Sequence, residues 1–283
     1  MFGSWKLGKI AGIDTFVHGT FWLLPLLVLF NGSAGGLSAD EVGLDLALVF
    51  GVFACVLLHE LGHALAARYY GIRTADITLY PIGGVARLER MPESPGREIA
   101  VALAGPAVNI VIAGGLFLGI LATSLVVPGS WTTPGFDFFE QFVTRLFFAN
   151  LFLAAFNLLP AFPMDGGRVF RALLSLRLSR VRATEVAVFV GGLMALGFFA
   201  LGLYASHPML MLLAVAVFLM GKAELAQVRW VEAERTWNQR LVELFQYDPP
   251  DGVEPDAFTG WKFDPDRRVW TEWRNGVPLR DVR

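Results

Sequence analysis

Leu44-Asp45-Leu46-Ala47-Leu48-Val49-Phe50-Gly51-Val52-Phe53-Ala54-Cys55-Val56-Leu57-Leu58-His59-Glu60-Leu61-Gly62-His63 is a largely apolar run that ends in two histidines and a glutamate. Helical spacing of i and i+4 places both imidazoles on one face, one turn apart, where they can share one metal ion. Glu60 lies one step around the helix, within reach of a water on that metal and not of the metal itself. A bland alternative is a helix whose polar residues pair along it or meet solvent. Ionisable groups at the end of such an apolar run are costly in a bilayer, so a functional role is the default reading. The chain holds four histidines, and two of them are here.

Composition sets the class. Of 283 residues, 55% are hydrophobic and 17% charged, and the mean hydropathy is +0.54, outside the range of soluble globular chains. The net charge of −2 conceals an uneven distribution. Basic residues form no cluster suited to a phosphate backbone, so nucleic acid is not an expected partner. Cys55 is the single cysteine, which excludes an intramolecular disulfide and a thiolate zinc cluster. Met1 to Ile13 lacks a small-residue cleavage site, so the first apolar run is expected to remain as an anchor.

Hydropathy predicts an all-α polytopic membrane protein with six spans. They lie near Phe16–Phe30, Leu44–Tyr70, Ile99–Val127, Phe138–Leu159, Thr184–Ala205 and Met209–Ala226. The first is short, and Lys222 and Glu224 interrupt the sixth. Lys6 and Lys9 precede the first span, and Arg68, Arg73, Arg87, Arg90 and Arg97 separate the second and third. Arg168, Arg171, Arg177, Arg180 and Arg182 separate the fourth and fifth, whereas Asn31–Gly43 and Pro128–Asp137 contain neither Lys nor Arg. Only Arg145 breaks the alternation. The positive-inside rule then puts both termini in the cytoplasm, with a prokaryotic plasma membrane as the expected location. Residues 1–226 form the membrane domain and 227–283 a small cytoplasmic tail.

His59 comes fourteen residues after Asp45, roughly 21 Å down a hydrocarbon core about 30 Å thick. That depth selects a third ligand, since a catalytic zinc site takes three protein ligands and a water. Span four descends to Asn157-Leu158-Leu159-Pro160-Ala161-Phe162-Pro163-Met164-Asp165-Gly166-Gly167 at a matching depth. Two prolines break the helix and two glycines free the backbone beside a carboxylate. Asp165 is the preferred ligand; its competing role is to cap the helix that follows. His18, at the cytoplasmic face, and His207, in an outer turn, are poorer candidates.

Together with Gly105-Pro106-Ala107-Val108-Asn109 in span three, these stretches make the chain resemble the site-2 proteases, the intramembrane zinc metalloproteases. The resemblance covers roughly Ile10 to Leu225. It implies one zinc ion per chain held by His59, His63 and Asp165, with Glu60 activating water. It also implies cleavage of a membrane-protein substrate in a regulatory cascade. No PDZ insertion lies between the spans, and the tail is too short for paired cystathionine-β-synthase-type modules. A non-proteolytic zinc-binding or transport protein with the same fold is the rival reading. Transport would favour ionisable groups along several spans, whereas here they cluster at one depth. A protease with its site in an aqueous domain would need a soluble region around His59, and the sequence has none.

Asn157 flanks the presumed metal loop and is expected to steady the substrate carbonyl or its oxyanion. Asn109 suits structural packing or active-site hydrogen bonding equally well. Thr74 to Arg90 alternates without helical period and turns at Pro81 and Gly83-Gly84, which predicts a short hairpin at the membrane surface or a plain connector. As a hairpin, Gly83, Gly84 and Val85 would pair with an unwound substrate by strand addition. Val228–Leu244 is helix-compatible, and Phe258–Trp273 reads as two short strands. The tail's tryptophans suit the membrane interface, the protease, or a regulatory partner.

Overall fold

Ser38 opens the second and central helix with a reciprocal cap. Its hydroxyl accepts from Glu41 N–H while the Glu41 carboxylate accepts from Ser38 N–H at 2.7 Å, so two of the four orphan donors of that end are satisfied. The computed structural model describes residues 3–81, 83–89, 92, 94–126, 137–245, 260–264, 269–274 and 277–282. In chain order they form β1 (Ser4–Ile10), β2 (Ile13–His18), a 3-10 turn (Gly19–Trp22), α1 (Leu23–Gly35), α2 (Ala39–Tyr69), β3 (Thr74–Tyr80) and β4 (Gly83–Leu88). There follow α3 (Pro95–Val126), α4 (Asp137–Asn157), α5 (Asp165–Leu174), α6 (Arg180–Tyr204), α7 (Pro208–Phe245), β5 (Gly260–Asp264), β6 (Val269–Arg274) and β7 (Val277–Val282).

Among the described residues, five helices are long and apolar enough to cross a membrane: α2, α3, α4, α6 and α7. Their outward faces stay apolar, as at Val111, Phe152, Phe189 and Leu219, which suits helices whose solvent is lipid. The first of the six expected spans differs. Phe16–His18 is strand, and the apolar helical stretch is only Gly19–Gly35. Ile13, Thr15 and Val17 are buried in strict alternation, the period of a strand and not of a helix. Gly36, at φ 68°, then turns α1 back against α2. The interrupted sixth span is continuous, because Glu224 finds a buried arginine and Lys222 lies over the Phe218 ring.

The expected hairpin is real but is only half of its sheet. The strands run β1-β2-β3-β4, with β1/β2 and β3/β4 antiparallel and β2/β3 parallel. The fold is therefore helical with a mixed four-stranded sheet and not all-α. Ile77, at the sheet's centre, is fully buried with Ile13 and Ala64, which joins β2, β3 and α2 in one apolar cluster. Arg87 on β4 grips Asp76 on β3 through Nε at 3.0 Å. Arg145, the exception in the charge pattern, is paired to Asp45 at 3.1 Å. A Cβ at Gly114, Gly115 or Gly119 of α3 would meet nothing within 4 Å among the described residues.

The chain divides into Met1–Leu225 and Ala226–Arg283. In the second unit, the far part of α7 is followed by an antiparallel sheet β5-β6-β7. The sequence suggested two strands here; β7 is the third. Arg280 on β7 stacks 5.3 Å from the Trp261 ring of β5, and Thr271 donates to Asp281 at 2.6 Å. The connecting residues 265–268 and 275–276 lie outside the described residues.

Candidate active site

α2 carries His59 and His63 inward, and α5 begins at Asp165. Asp165 Oδ2 lies 3.2 Å from His59 Nε2 and 3.1 Å from His63 Nε2, and the two Nε2 atoms are 3.1 Å apart. All three side chains are buried. A tetrahedral zinc with bonds of about 2.0–2.1 Å needs donor separations of roughly 3.3–3.4 Å, so this triangle fits one ion. The other ring nitrogens fix the tautomer. His63 Nδ1 donates to Val101 O at 2.7 Å and His59 Nδ1 to Asn109 Oδ1 at 2.5 Å, which turns both Nε2 lone pairs toward Asp165.

Glycines make the room. A Cβ at Gly105 would fall 2.6 Å from His59 Nε2 and against His63 Nε2, within the space bounded by the donors. Gly62 lets α2 approach α3, since a Cβ there would lie 2.8 Å from Ala104 O. Gly166 and Gly167 let α5 tuck beneath the loop from Leu158 to Phe162, whose backbone would collide with a side chain at either position. The capping alternative for Asp165 does not hold. Met164 is the N-cap, no side chain caps the helix, and the Asp165 carboxylate turns to the histidines.

Behind His59 runs a polar chain that the sequence reading half found. Asn109 Nδ2 donates to Asn150 Oδ1 at 2.9 Å, and Asn150 Nδ2 donates to Leu146 O at 2.9 Å and to Cys55 Sγ at 3.3 Å. Asn109 and Asn150 are fully buried. Asn150 went unnoticed, although an amide inside an apolar helix is itself a signal. Asn157 is placed differently: its Nδ2 bonds Leu153 O of its own helix at 2.9 Å. The buried cluster is completed by Asn109 and Asn150 instead.

A second missed group braces α5. Arg171, 1% exposed, donates through Nε to Glu98 at 2.9 Å and through Nη1 to Glu224 at 2.5 Å, and its guanidinium stacks 5.0 Å from the Phe162 ring. Glu98 also faces Arg180 at 3.6 Å. One arginine thus ties α3, α5 and α7 to the loop that delivers Asp165. Removing one partner of such a buried set costs about 3–5 kcal/mol.

Glu60 does not join the triangle. Its Oε2 accepts from Ala86 N–H of β4 at 3.1 Å, and a Cβ at Gly84 would lie 2.5 Å from Glu60 Cγ. Gly83, Gly84 and Val85 all belong to β4, an edge strand of the sheet. Val85 is half exposed. Antiparallel pairs alternate in their bonding. With Ala86 N–H turned out to Glu60, the N–H of Val85 turns in to Thr78, its partner on β3.

Fold and site together define a membrane-embedded metalloprotease that works with zinc, and the comparisons with known proteins agree. The model of peptidase family M50 matches residues 47–132 and 132–198. A zinc metalloprotease of Methanocaldococcus jannaschii is 33% identical over 254 residues, 89% of this chain and 69% of that protein. Stage IV sporulation protein FB of Bacillus subtilis is 32% identical over 57% of this chain and 48% of its own length. Among solved structures, the site-2 protease from Methanocaldococcus jannaschii aligns with a TM-score of 0.56 at 31% identity, covering 78% of this chain and 94% of that one. The chain belongs to peptidase family M50, the site-2 proteases.

Proposed function

We propose that His59, His63 and Asp165 hold the catalytic zinc, and that Glu60 is the proton carrier in hydrolysis of a peptide bond within or beside a substrate's transmembrane segment. The observation that carries this reading is the triangle of three buried donors 3.1–3.2 Å apart, with Glu60 on the same helix as the two histidines but outside the triangle. Zinc bound there would polarise the scissile carbonyl and lower the attacking water's pKa to about 7. Glu60 Oε2 takes that water's proton and passes it to the leaving amine. Asn109 and Val101 O hold the two imidazoles in the tautomer that ligation needs. Asn157, with one amide hydrogen left over, steadies the substrate carbonyl.

A helical substrate hides its carbonyls in i to i−4 bonds and must unwind before attack. β4 is suited to receive it, because a terminal strand offers unpaired N–H and C=O groups for strand addition. Gly83 and Gly84 allow close backbone approach there, and Val85 offers a small apolar contact. The first apolar stretch, Gly19–Gly35, is taken as a short sixth crossing, which returns the chain from the sheet to the opposite face and leaves both termini cytoplasmic. The unit Ala226–Arg283 is the proposed contact for a regulatory partner.

Glu60→Gln tests the assignment of roles. The purified variant should keep one zinc per chain and lose cleavage of a tagged membrane-protein substrate by at least about a hundredfold. Turnover at the wild-type rate would refute it.

A further inference from the structure

Glu60 occupies a position that strand addition also requires. β4 spans six residues, and of its backbone donors only alternate ones face away from β3. Ala86 N–H is an outward donor near the middle of that edge, and the Glu60 carboxylate already accepts from it at 3.1 Å. The side chain reaches it by lying across Gly84, where a single methyl group would be 2.5 Å from Glu60 Cγ and 3.2 Å from Cδ. The strand is thus shaped so that this carboxylate can rest on its open edge.

We propose that Ala86 N–H is a latch for Glu60, which an incoming substrate strand opens. An extended segment that adds to β4 must take the Ala86 donor for one of its own carbonyls. Glu60 is thereby displaced from the edge and becomes free to serve the attacking water. Substrate pairing and release of the base are then one event, and a bilayer protein that fails to unwind and pair leaves Glu60 latched. No bond is made or broken in this step; one hydrogen bond is exchanged for another. The proposal rests on the reading of β4 as the substrate strand.

Binding and amide exchange test it without turnover. The probe is a fluorescein-labelled synthetic span of about 20 Leu and Ala residues with a central Asn-Pro pair, titrated in detergent against the full-length protein. In Glu60→Gln the side-chain carbonyl can still accept from Ala86, whereas in Glu60→Ala nothing competes. Glu60→Ala is expected to bind the probe about tenfold more tightly than Glu60→Gln, the scale of one hydrogen bond to a polar or charged group. Without probe, the Ala86 amide should exchange faster in Glu60→Ala than in Glu60→Gln. Replacing Ala86 by its α-hydroxy analogue, which turns that N–H into an ester oxygen and keeps the methyl, should abolish the difference between the two.

Equal affinity of the two Glu60 variants overturns the latch. If the ester then weakens probe binding in both, strand addition stands and only the latch falls. If the ester changes nothing in either, the substrate-strand reading fails and takes the latch with it. Equal Ala86 exchange in the two variants, both with full zinc stoichiometry, also overturns it.

Discussion

Asn109 Oδ1 sits 2.5 Å from His59 Nδ1, so a residue in α3 decides which nitrogen of an α2 histidine is free to bind metal. Removing the amide leaves a buried imidazole N–H unpaired and the ring free to rotate. Asn109→Ala should weaken zinc binding about 10–100-fold. Competition with a metal chelator in detergent measures it, and unaltered affinity would show that the ring is held by packing alone.

Gly105 and Gly114 lie on the same helix but face different things. A methyl group at Gly105 enters the space between the histidines, whereas one at Gly114 meets nothing within 4 Å. Gly105→Ala should abolish zinc binding and activity. Gly114→Ala should keep both and gain roughly 0.5–1 kcal/mol, since alanine suits a helix interior better than glycine. Zinc content by atomic absorption, with thermal unfolding, separates the two.

Gly84→Ala probes the carboxylate without touching a ligand. Its Cβ would sit 2.5 Å from Glu60 Cγ and push the side chain aside. A displacement of about 1 Å in a catalytic group costs on the order of a hundredfold in rate. The expected outcome is full zinc occupancy with kcat lowered on that scale; an unchanged kcat would mean that Glu60 has room to re-seat.

Orientation can be read by labelling. With Cys55 replaced, a cysteine at Lys9 or Arg177 should be protected from an impermeant thiol reagent on intact cells. A cysteine at Gly35, beside the turn from α1 to α2, should react. Labelling at Lys9 from outside would remove the first crossing from the proposed topology.

The buried triangle of His59, His63 and Asp165 was legible because each part has a local signature. The histidines show their helical spacing, and Asp165 lies where prolines and glycines interrupt an apolar helix at matching depth. Groups joined only across the fold were not legible. Arg171 looks like one of five arginines between two apolar stretches until Glu98 and Glu224 are seen around it. Asn150 looks like a stray amide until Asn109 meets it. β2 was hidden differently: Ile13–His18 runs into the apolar Phe21–Phe30, so hydropathy merged a strand with the helix after it. Its partner β3 begins far along the chain, beyond α1 and α2, where no local pattern could reveal the pairing.

That parallel pairing also fixes the order in which the molecule can be made. Thr15 cannot meet Ile77 until both intervening helices have been synthesised and inserted, because a parallel pair cannot be closed by a tight turn. Asp165 follows His59 by 106 residues. At roughly 5–20 residues per second of synthesis, the two histidines and Glu60 wait about 5–20 s in the bilayer before their third partner exists. During that interval the nascent chain holds two of the three donors of the buried triangle. The distance along the chain between α2 and α5 therefore separates the making of the two histidines from that of the carboxylate they meet.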